Sequence, residues 1–465
     1  MDKLRLRTKL IFALGGFGKD AMFAMSMVMS VYFIDLIGVS SIFIGTMMML
    51  VRVWDAINDP IMGNIVTNTE SKYGKFRPWI LIGTIINAII LIIIFANPAL
   101  GPNSLGMFIY VTIFYTLWGM SYTLMDIPFW SMIPALSQSS KERETVTVLT
   151  RLFTSLGYFI IFAGWLPLSK ILGGGESTSD QVQGLFIISI IVAIVFIVTQ
   201  LLLVVFVKEQ VIPKDMPKVS LKRMFSLLIK NDQLFIVMVV VLIANFVLFI
   251  TSNMAYYFIR YDVANEDIYA TFLAAAGVIQ VIGAVLFPLF RSKLNRKKIY
   301  NYSISLQILG FLLLLVNAFL LDNFVPLIFI FGALIFFGQG LQMVLQTVLL
   351  ADTVEYGEYH LEERSEALVF SAQTFIVKFS MGLSLGVIGV GLFLFRFQSA
   401  EETFIEQSYG TIVGLRVLMF VLPIIGLLIS LFIFNKKHTL NEEKYADIVE
   451  KLRERNIYEE NPAEL

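Results

Sequence analysis

Long apolar segments separated by short polar segments make up most of this chain. An α-helix needs about 20 predominantly apolar residues to cross the hydrocarbon core of a bilayer. Twelve segments meet this requirement, so the pattern predicts an all-α polytopic membrane protein with twelve transmembrane helices. The segments cover approximately residues 9–36, 41–66, 78–98, 105–136, 146–171, 182–207, 233–260, 268–290, 297–320, 325–351, 366–395 and 411–435.

Basic residues are distributed unequally between the two sets of loops. Lysine and arginine accumulate in the N-terminus, in the tail and in every second connection. The connections on the opposite side hold only Lys170, Arg260 and Arg396. Because cytoplasmic loops of membrane proteins carry the excess of Lys and Arg, both termini are predicted to be cytoplasmic.

The longest charged connection divides the predicted helices into two sets of six. It spans residues 208–232 and contains Pro213 and Pro217. Two six-helix bundles are typical of the major facilitator fold, whose substrate site lies near the bilayer midplane. The predicted organisation begins with an N-terminal bundle, residues 1–207, which holds the cation contacts and most sugar contacts. A cytoplasmic linker (208–232), a C-terminal bundle (233–435) and a charged cytoplasmic tail (436–465) follow.

The composition excludes several functional classes. Charged residues make up 15% of the chain, against about 25% in soluble domains. Acidic and basic residues number 35 each, so there is no basic surface for nucleic acid. Cysteine is absent and only two histidines occur, which argues against thiol catalysis and His- or Cys-ligated metals. The connections are too short for an enzyme's substrate-binding loop, so we predict that the chain is not an enzyme.

Ionisable residues inside the predicted helices mark the functional region. Each costs about 2.5–3.5 kcal/mol at a helix centre on insertion scales, so they must face one another or a water-filled cavity. Arg416, near the outer end of the last helix, is interpreted as a snorkelling residue and is excluded from the site. The informative residues are Lys19, Asp20, Arg52, Asp55, Asp59, Asp126, Arg151, Lys378 and Arg416.

The second helix carries a candidate cation site. Arg52, Asp55 and Asp59 share one helical face, with the two carboxylates one turn apart. Two neighbouring carboxylates repel each other, which favours a proton or Na⁺ between them. Asn58 and Thr123 offer the neutral oxygens that a hard cation accepts. The alternative is that Arg52 only neutralises Asp55 as a packing ion pair.

The fourth helix carries a candidate sugar site. Tyr122, Asp126 and Trp130 follow one another at steps of four residues and therefore share a face. An aromatic plane beside a carboxylate suits a sugar, whose C–H face stacks while its hydroxyls form hydrogen bonds. The alternative is an interfacial tryptophan beside a salt-bridged aspartate. Further candidate sugar contacts are Lys19, Asp20 and Arg151.

Four segments closely resemble the glycoside–pentoside–hexuronide:cation symporter family, and within it the sodium-coupled melibiose permeases. The similarity extends over about residues 5–440 and is strongest in helices 2–4. The segments are Arg52-Val-Trp-Asp-Ala-Ile-Asn-Asp-Pro-Ile-Met-Gly63, Gly74-Lys-Phe-Arg-Pro-Trp-Ile-Leu-Ile-Gly-Thr84, Trp118-Gly-Met-Ser-Tyr-Thr-Leu-Met-Asp-Ile-Pro-Phe-Trp130 and Ala351-Asp-Thr-Val-Glu-Tyr-Gly-Glu358.

The resemblance implies roles for individual residues. It implies that Asp55, Asp59, Thr123 and Asn58 form the cation site and that Lys19, Asp20, Tyr122, Asp126, Trp130 and Arg151 bind the sugar. It also implies that Lys378, Gln373 and Thr374 lie near the coupling site. We assign Arg52 and Arg143 to coupling or gating. Met343 replaces a tryptophan of the melibiose permeases, which leaves the specificity for the second sugar unit open.

These features predict a symporter of the bacterial inner membrane type. It moves a galactoside-type disaccharide inward with Na⁺, Li⁺ or H⁺ by alternating access. We expect no cofactor besides the coupling cation, contact with membrane lipid, no nucleic-acid partner and function as a monomer. Another glycoside, a pentoside, a glucuronide or a lysolipid is an alternative substrate, and a non-transporting sugar sensor is the alternative of another class.

Overall fold

The computed structural model describes residues 4–67, 69, 71–137, 140–209, 226, 228–361, 366–398 and 406–460. Helices account for nearly all of these residues, as predicted. The helices are α1 Leu6–Leu36, α2 Ser41–Thr67, α3 Arg77–Phe95, α4 Leu105–Leu136, α5 Ser140–Gly173, α6 Thr178–Phe206, α7 Asp232–Asp262, α8 Ile268–Arg291, α9 Arg296–Leu320, α10 Val325–Leu361, α11 Glu366–Leu394, α12 Tyr409–Lys437 and α13 Glu442–Glu460.

Helices α1 to α12 correspond to the twelve predicted spans. Eleven helices within the described residues are long and apolar enough to cross a membrane. The helix missing from these eleven is α2, whose 27 residues include Arg52, Asp55 and Asp59. Of the twelve helices that correspond to predicted spans, the one outside these eleven is therefore the one that carries the candidate cation site.

The chain divides into two compact units. The first contains Met1–Lys218, Asn265–Ala274 and Leu385–Gly414, and the second contains Val219–Ala264, Ala275–Ser384 and Leu415–Leu465. The boundary at Lys218 falls within the predicted linker 208–232, of which 210–225 and 227 lie outside the described residues. The first unit also takes in the beginning of α8 and the end of α11.

Glycines bring α1 close to its neighbours in the first unit. A Cβ atom at Gly18 would overlap the Thr199 hydroxyl of α6, and one at Gly157 of α5 would overlap the backbone carbonyl oxygen of Phe17. Small residues at helix interfaces permit such close backbone approach. Gln200 of α6 also donates a hydrogen bond to the Gly15 carbonyl oxygen over 2.7 Å. Helix α1 is therefore fixed between α5 and α6.

The outer end of α5 contacts both the turn before α8 and the first turn of α8, within the same unit. The Lys170 ammonium lies 2.8 Å from the Glu266 carboxylate. Trp165 donates a hydrogen bond from Nε1 to the Tyr269 hydroxyl over 3.4 Å, and both side chains are buried. The sequence interpretation placed Lys170 in an outer connection, whereas it lies in the last turn of α5.

The connection between α2 and α3 is anchored by Glu209. Its carboxylate accepts hydrogen bonds from the backbone N–H groups of Lys75, Phe76 and Arg77, at 2.8, 2.9 and 3.3 Å. Arg77 in turn donates from Nε to the Val204 carbonyl oxygen over 2.6 Å. A carboxylate at a helix N-terminus satisfies free N–H groups and opposes the positive end of the helix dipole.

The first helices of the two predicted halves end in the same way. Both α1 and α7 finish in a five-residue π-helical turn, at Tyr32–Leu36 and Phe258–Asp262. Each turn contains a buried aspartate, Asp35 in the first and Asp262 in the second. This matching irregularity is consistent with an internal structural repeat.

Arg416 pairs with Asp262 in the second unit. Its guanidinium donates two hydrogen bonds to that carboxylate, at 2.8 and 2.7 Å, and lies 4.5 Å from the centre of the Phe319 ring. The interpretation of Arg416 as a snorkelling residue is therefore wrong, because the pair neutralises its charge inside the protein. Arg260, predicted to lie in an outer connection, is instead buried in the π-helical turn of α7.

We expect Gly157→Ala to destabilise the protein. The new methyl group would collide with the α1 backbone, which cannot rotate away as a side chain can, and such overpacking costs about 1–3 kcal/mol. Gly164→Ala on the same helix is the matched control, because its Cβ would meet only the Leu168 side chain at 3.4 Å. Both variants gain the same helix propensity. Equal thermal unfolding midpoints for the two purified variants would contradict the packing of α1 on α5.

Candidate functional site

A buried lysine joins the candidate sugar-binding residues of α1 and α4. The Lys19 ammonium lies 2.6 Å from the Asp20 carboxylate and 2.8 Å from that of Asp126. It also donates a hydrogen bond to the Tyr122 hydroxyl over 3.2 Å. The Lys19 side chain is 5% exposed, whereas those of Asp20 and Asp126 are 23% and 24% exposed. Two carboxylates share one cation, and each keeps an accessible edge that can accept hydrogen bonds.

Two further candidates add aromatic and cationic surface to this cluster. The Lys19 ammonium lies 5.2 Å from the centre of the Trp130 ring. The Arg151 guanidinium lies over the same ring at 4.3 Å, and Arg151 is exposed. The sequence left open whether Arg151 contacts substrate hydroxyls or Asp126. In the structure Arg151 stacks on Trp130, and Lys19 is the cation that pairs with Asp126.

The Asp55 and Asp59 carboxylates of α2 accept hydrogen bonds from different residues. Arg52 donates a hydrogen bond to Asp55 over 3.1 Å, and both side chains are buried. Thr123 of α4 donates to Asp59 over 3.2 Å. Asn58, the fourth member of the predicted cation set, is partly buried on α2. The packing ion pair considered for Asp55 therefore forms, and the structure brings Asp59 and Thr123 together.

The Arg52–Asp55 pair lies in a tight aromatic and glycine environment. The Arg52 guanidinium carbon lies 5.7 Å from the Tyr115 ring centre and 5.8 Å from that of Trp118. On the other side, a Cβ atom at Gly119 would lie 2.7 Å from an Asp55 carboxylate oxygen. Only glycine leaves room for that carboxylate against α4.

The remaining candidates lie apart from these clusters in the sequence. Lys378 and Gln373 are partly buried on α11, whereas Thr374 is exposed. They belong to the second compact unit. Arg143 lies in the first turn of α5, and its side chain is outside the described residues. The coupling role assigned to these four residues stays a prediction.

One supporting residue was missed by sequence reasoning. Asn87 of α3 is fully buried and donates hydrogen bonds to the Trp118 carbonyl oxygen at 2.7 Å and the Ser121 hydroxyl at 2.9 Å. The acceptors lie in the turn of α4 that leads to Tyr122 and Thr123. The only sequence signal was an amide within an otherwise apolar helix, which did not indicate the neighbouring helix it would bind.

We expect Arg52→Met to lower stability by about 3–5 kcal/mol, because it leaves a buried carboxylate without its cation. The double variant Arg52→Met/Asp55→Asn removes both charges and should recover part of this loss. Thermal unfolding of the purified variants measures both effects. If the loss of stability in the double variant equals the sum of the losses in Arg52→Met and Asp55→Asn, the two residues are not coupled as the structure shows.

The fold and the site together define a polytopic membrane transporter, because charged and aromatic side chains form a polar site inside a bundle of membrane-spanning helices. The family described as MFS/sugar transport protein matches residues 11–436. The chain belongs to this family. It is therefore a multi-pass membrane protein of the major facilitator superfamily that transports sugar, and not an enzyme.

Known relatives and structures agree with this assignment. The lactose permease of Lactobacillus delbrueckii subsp. bulgaricus is 28% identical over 97% of this chain and 73% of its own length. The raffinose carrier protein of Pediococcus pentosaceus is 28% identical over 87% of this chain and 63% of its own length. The crystal structure of the nucleoside transporter NupG matches with a TM-score of 0.64 at 17% identity, covering 93% of this chain and 99% of that one, which supports the fold alone.

Proposed function

We propose that the protein is a cation-coupled symporter that carries a neutral galactoside-type disaccharide into the cell. The observation that carries this proposal is the arrangement of Asp20 and Asp126 around Lys19, with accessible carboxylate edges beside the Trp130 ring. Carboxylates accept hydrogen bonds from sugar hydroxyls, and charge-assisted bonds are the stronger kind. The named substrates of two relatives, lactose and raffinose, both contain a galactosyl unit.

The coupling cation in this proposal is Na⁺, Li⁺ or H⁺, and it binds at Asp59 with Thr123. Asp55 lies one turn away on α2, and Asn58 adds a neutral oxygen. Helix α4 connects this site to the sugar site, because Thr123 contacts Asp59 while the adjacent Tyr122 contacts Lys19. A cation that orders this turn of α4 also orders the sugar contacts. Such coupling is reciprocal, so bound sugar tightens the cation site by the same factor.

Transport into proteoliposomes tests the proposed function. Purified protein should accumulate labelled melibiose, raffinose or lactose above its equilibrium level when a Na⁺, Li⁺ or H⁺ gradient is imposed, and an ionophore should abolish accumulation. Sugar binding without uptake would instead indicate a sensor. Equal sugar affinity in sodium, lithium and choline buffers at fixed pH would leave a proton as the coupling ion.

Asp59→Cys should uncouple the two sites. The variant loses the carboxylate that Thr123 contacts but keeps Lys19, Asp20 and Asp126, so sugar binding should persist without stimulation by Na⁺. Sugar affinity with and without Na⁺ provides the measurement. Glu176→Gln, at a highly exposed acid, is the control and should behave like the unmodified protein. Full Na⁺ stimulation of Asp59→Cys would remove Asp59 from the cation site.

Asp126→Asn should have the opposite effect. It preserves side-chain size but removes the charge that binds Lys19 and the sugar hydroxyls, so sugar affinity should fall at least tenfold, as expected for the loss of a charge-assisted hydrogen bond. Na⁺ should still raise the thermal unfolding midpoint of the variant. Unchanged sugar affinity would show that the Asp126 carboxylate does not contact substrate.

A further inference from the structure

Beyond its first turns, helix α1 is accessible at four residues only. Between Phe12 and Leu36 every residue is buried except four at steps of three, namely Leu14, Phe17, Asp20 and Phe23. Three residues turn an α-helix by about 60° short of a full turn, so Phe23 lies on a face next to that of Asp20, which belongs to the sugar site. Accessibility stops at Phe23, because residues 24–36 are all buried.

Helices α4 and α5 lose accessibility at the same level. Along the inner face of α4, Trp130 and Asp126 are partly exposed, whereas Tyr122 and Trp118 are buried. Along the corresponding face of α5, Arg151 is exposed and Tyr158 partly exposed. The residues further out on that face, Phe162 and Trp165, are buried. Helices α1, α4 and α5 therefore all change from accessible to buried residues where the accessible space ends.

Aromatic rings form this closed end. The Phe23 ring centre lies 5.3 Å from that of Tyr122 and 6.4 Å from that of Tyr158. Tyr158 stacks in turn on Phe162, with ring centres 5.4 Å apart. Tyr122 also binds the Lys19 ammonium, so the aromatic surface is continuous with the charged cluster.

We propose that Phe23 and Tyr158 form a second stacking surface, which binds the apolar C–H face of the second sugar ring of a neutral glycoside. This inference rests on the proposed function. The first ring lies at Trp130, Arg151 and the two carboxylates, and the second ring lies against Phe23 and Tyr158.

The spacing on α5 supports this arrangement. Arg151 and Tyr158 are seven residues apart, which places them on one face and about 10 Å apart along the helix axis. A single pyranose ring held at Arg151 does not reach Tyr158, whereas a second ring linked to it does. The lipid-facing side of α5 is marked by exposed Leu152, Leu156 and Ile160, so the face with Arg151 and Tyr158 points away from lipid.

The chemistry of the surface selects its ligand. Phe23 and Tyr158 carry no formal charge, and their nearest ring neighbours are aromatic. The Arg52 guanidinium lies 5.8 Å from the Phe23 ring centre but is paired with Asp55. The surface therefore suits the ring of an uncharged sugar better than the carboxylate of a uronic acid. The two residues therefore determine specificity for the second ring, separately from the carboxylates that bind the first.

The experiment compares sugars of one and two rings on purified full-length protein in sodium buffer. Tyr158→Leu should weaken melibiose binding about tenfold, the effect of losing an aromatic stacking contact, while the affinity for methyl α-galactoside changes less than twofold. Tyr158→Phe keeps the ring and should retain melibiose affinity. Phe23→Leu should repeat the effect of Tyr158→Leu from the other helix.

Phe159→Leu is the matched control. It removes an adjacent aromatic ring from another face of α5 and should leave the affinities for both sugars unchanged. Equal weakening of both sugars by Tyr158→Leu, or by the control, would overturn the inference, because it would indicate a packing role. Unchanged melibiose binding in both Leu variants would overturn it as well. If the unmodified protein binds neither sugar, the proposed function itself fails, and the inference falls with it.

Discussion

The ammonium group of Lys19 holds the first unit's polar site together. A charge within a membrane-spanning bundle is expensive unless it is paired, and Lys19 is paired with two carboxylates from different helices. This arrangement leaves an excess of one negative charge among the three groups. The same contacts that make the cluster tolerable in the membrane therefore leave it able to bind hydroxyl donors. Removing the lysine would lose both properties at once.

Helix α4 is the physical link between the two proposed ligands. Its successive residues Tyr122 and Thr123 touch different partners, Lys19 on α1 and Asp59 on α2. The helix is itself positioned by hydrogen bonds from Asn87 and by the close approach of Gly119 to Asp55. A small rotation of this turn would alter both contacts together. The two proposed sites are therefore joined by neighbouring residues of one helix.

The sequence was sufficient for the helices and for the charged residues of the candidate site, but not for the charges of the π-helical turns, Asp35, Arg260 and Asp262. Apolar length predicts a span directly, and a charge within a span is visible without a structure. The partners of those charges were predictable only where both lie on one helix, as for Arg52 and Asp55. The Lys19–Asp126 and Arg416–Asp262 pairs join residues more than 100 positions apart in the sequence, and helix periodicity carries no information about such contacts. The hydrogen bonds of Asn87 depend on tertiary packing for the same reason.

Glu209 has a consequence for the connection between the two predicted halves. Its carboxylate accepts hydrogen bonds from three backbone N–H groups at the beginning of α3. The first two residues of the 208–232 segment are therefore attached to the first unit. Glu209, at the beginning of the predicted linker 208–232, is thus part of the packing around α3. Arg77 also joins the beginning of α3 to the Val204 carbonyl oxygen of α6, so the segment after α6 and the connection that follows the helix with Asp55 and Asp59 are held as one structure.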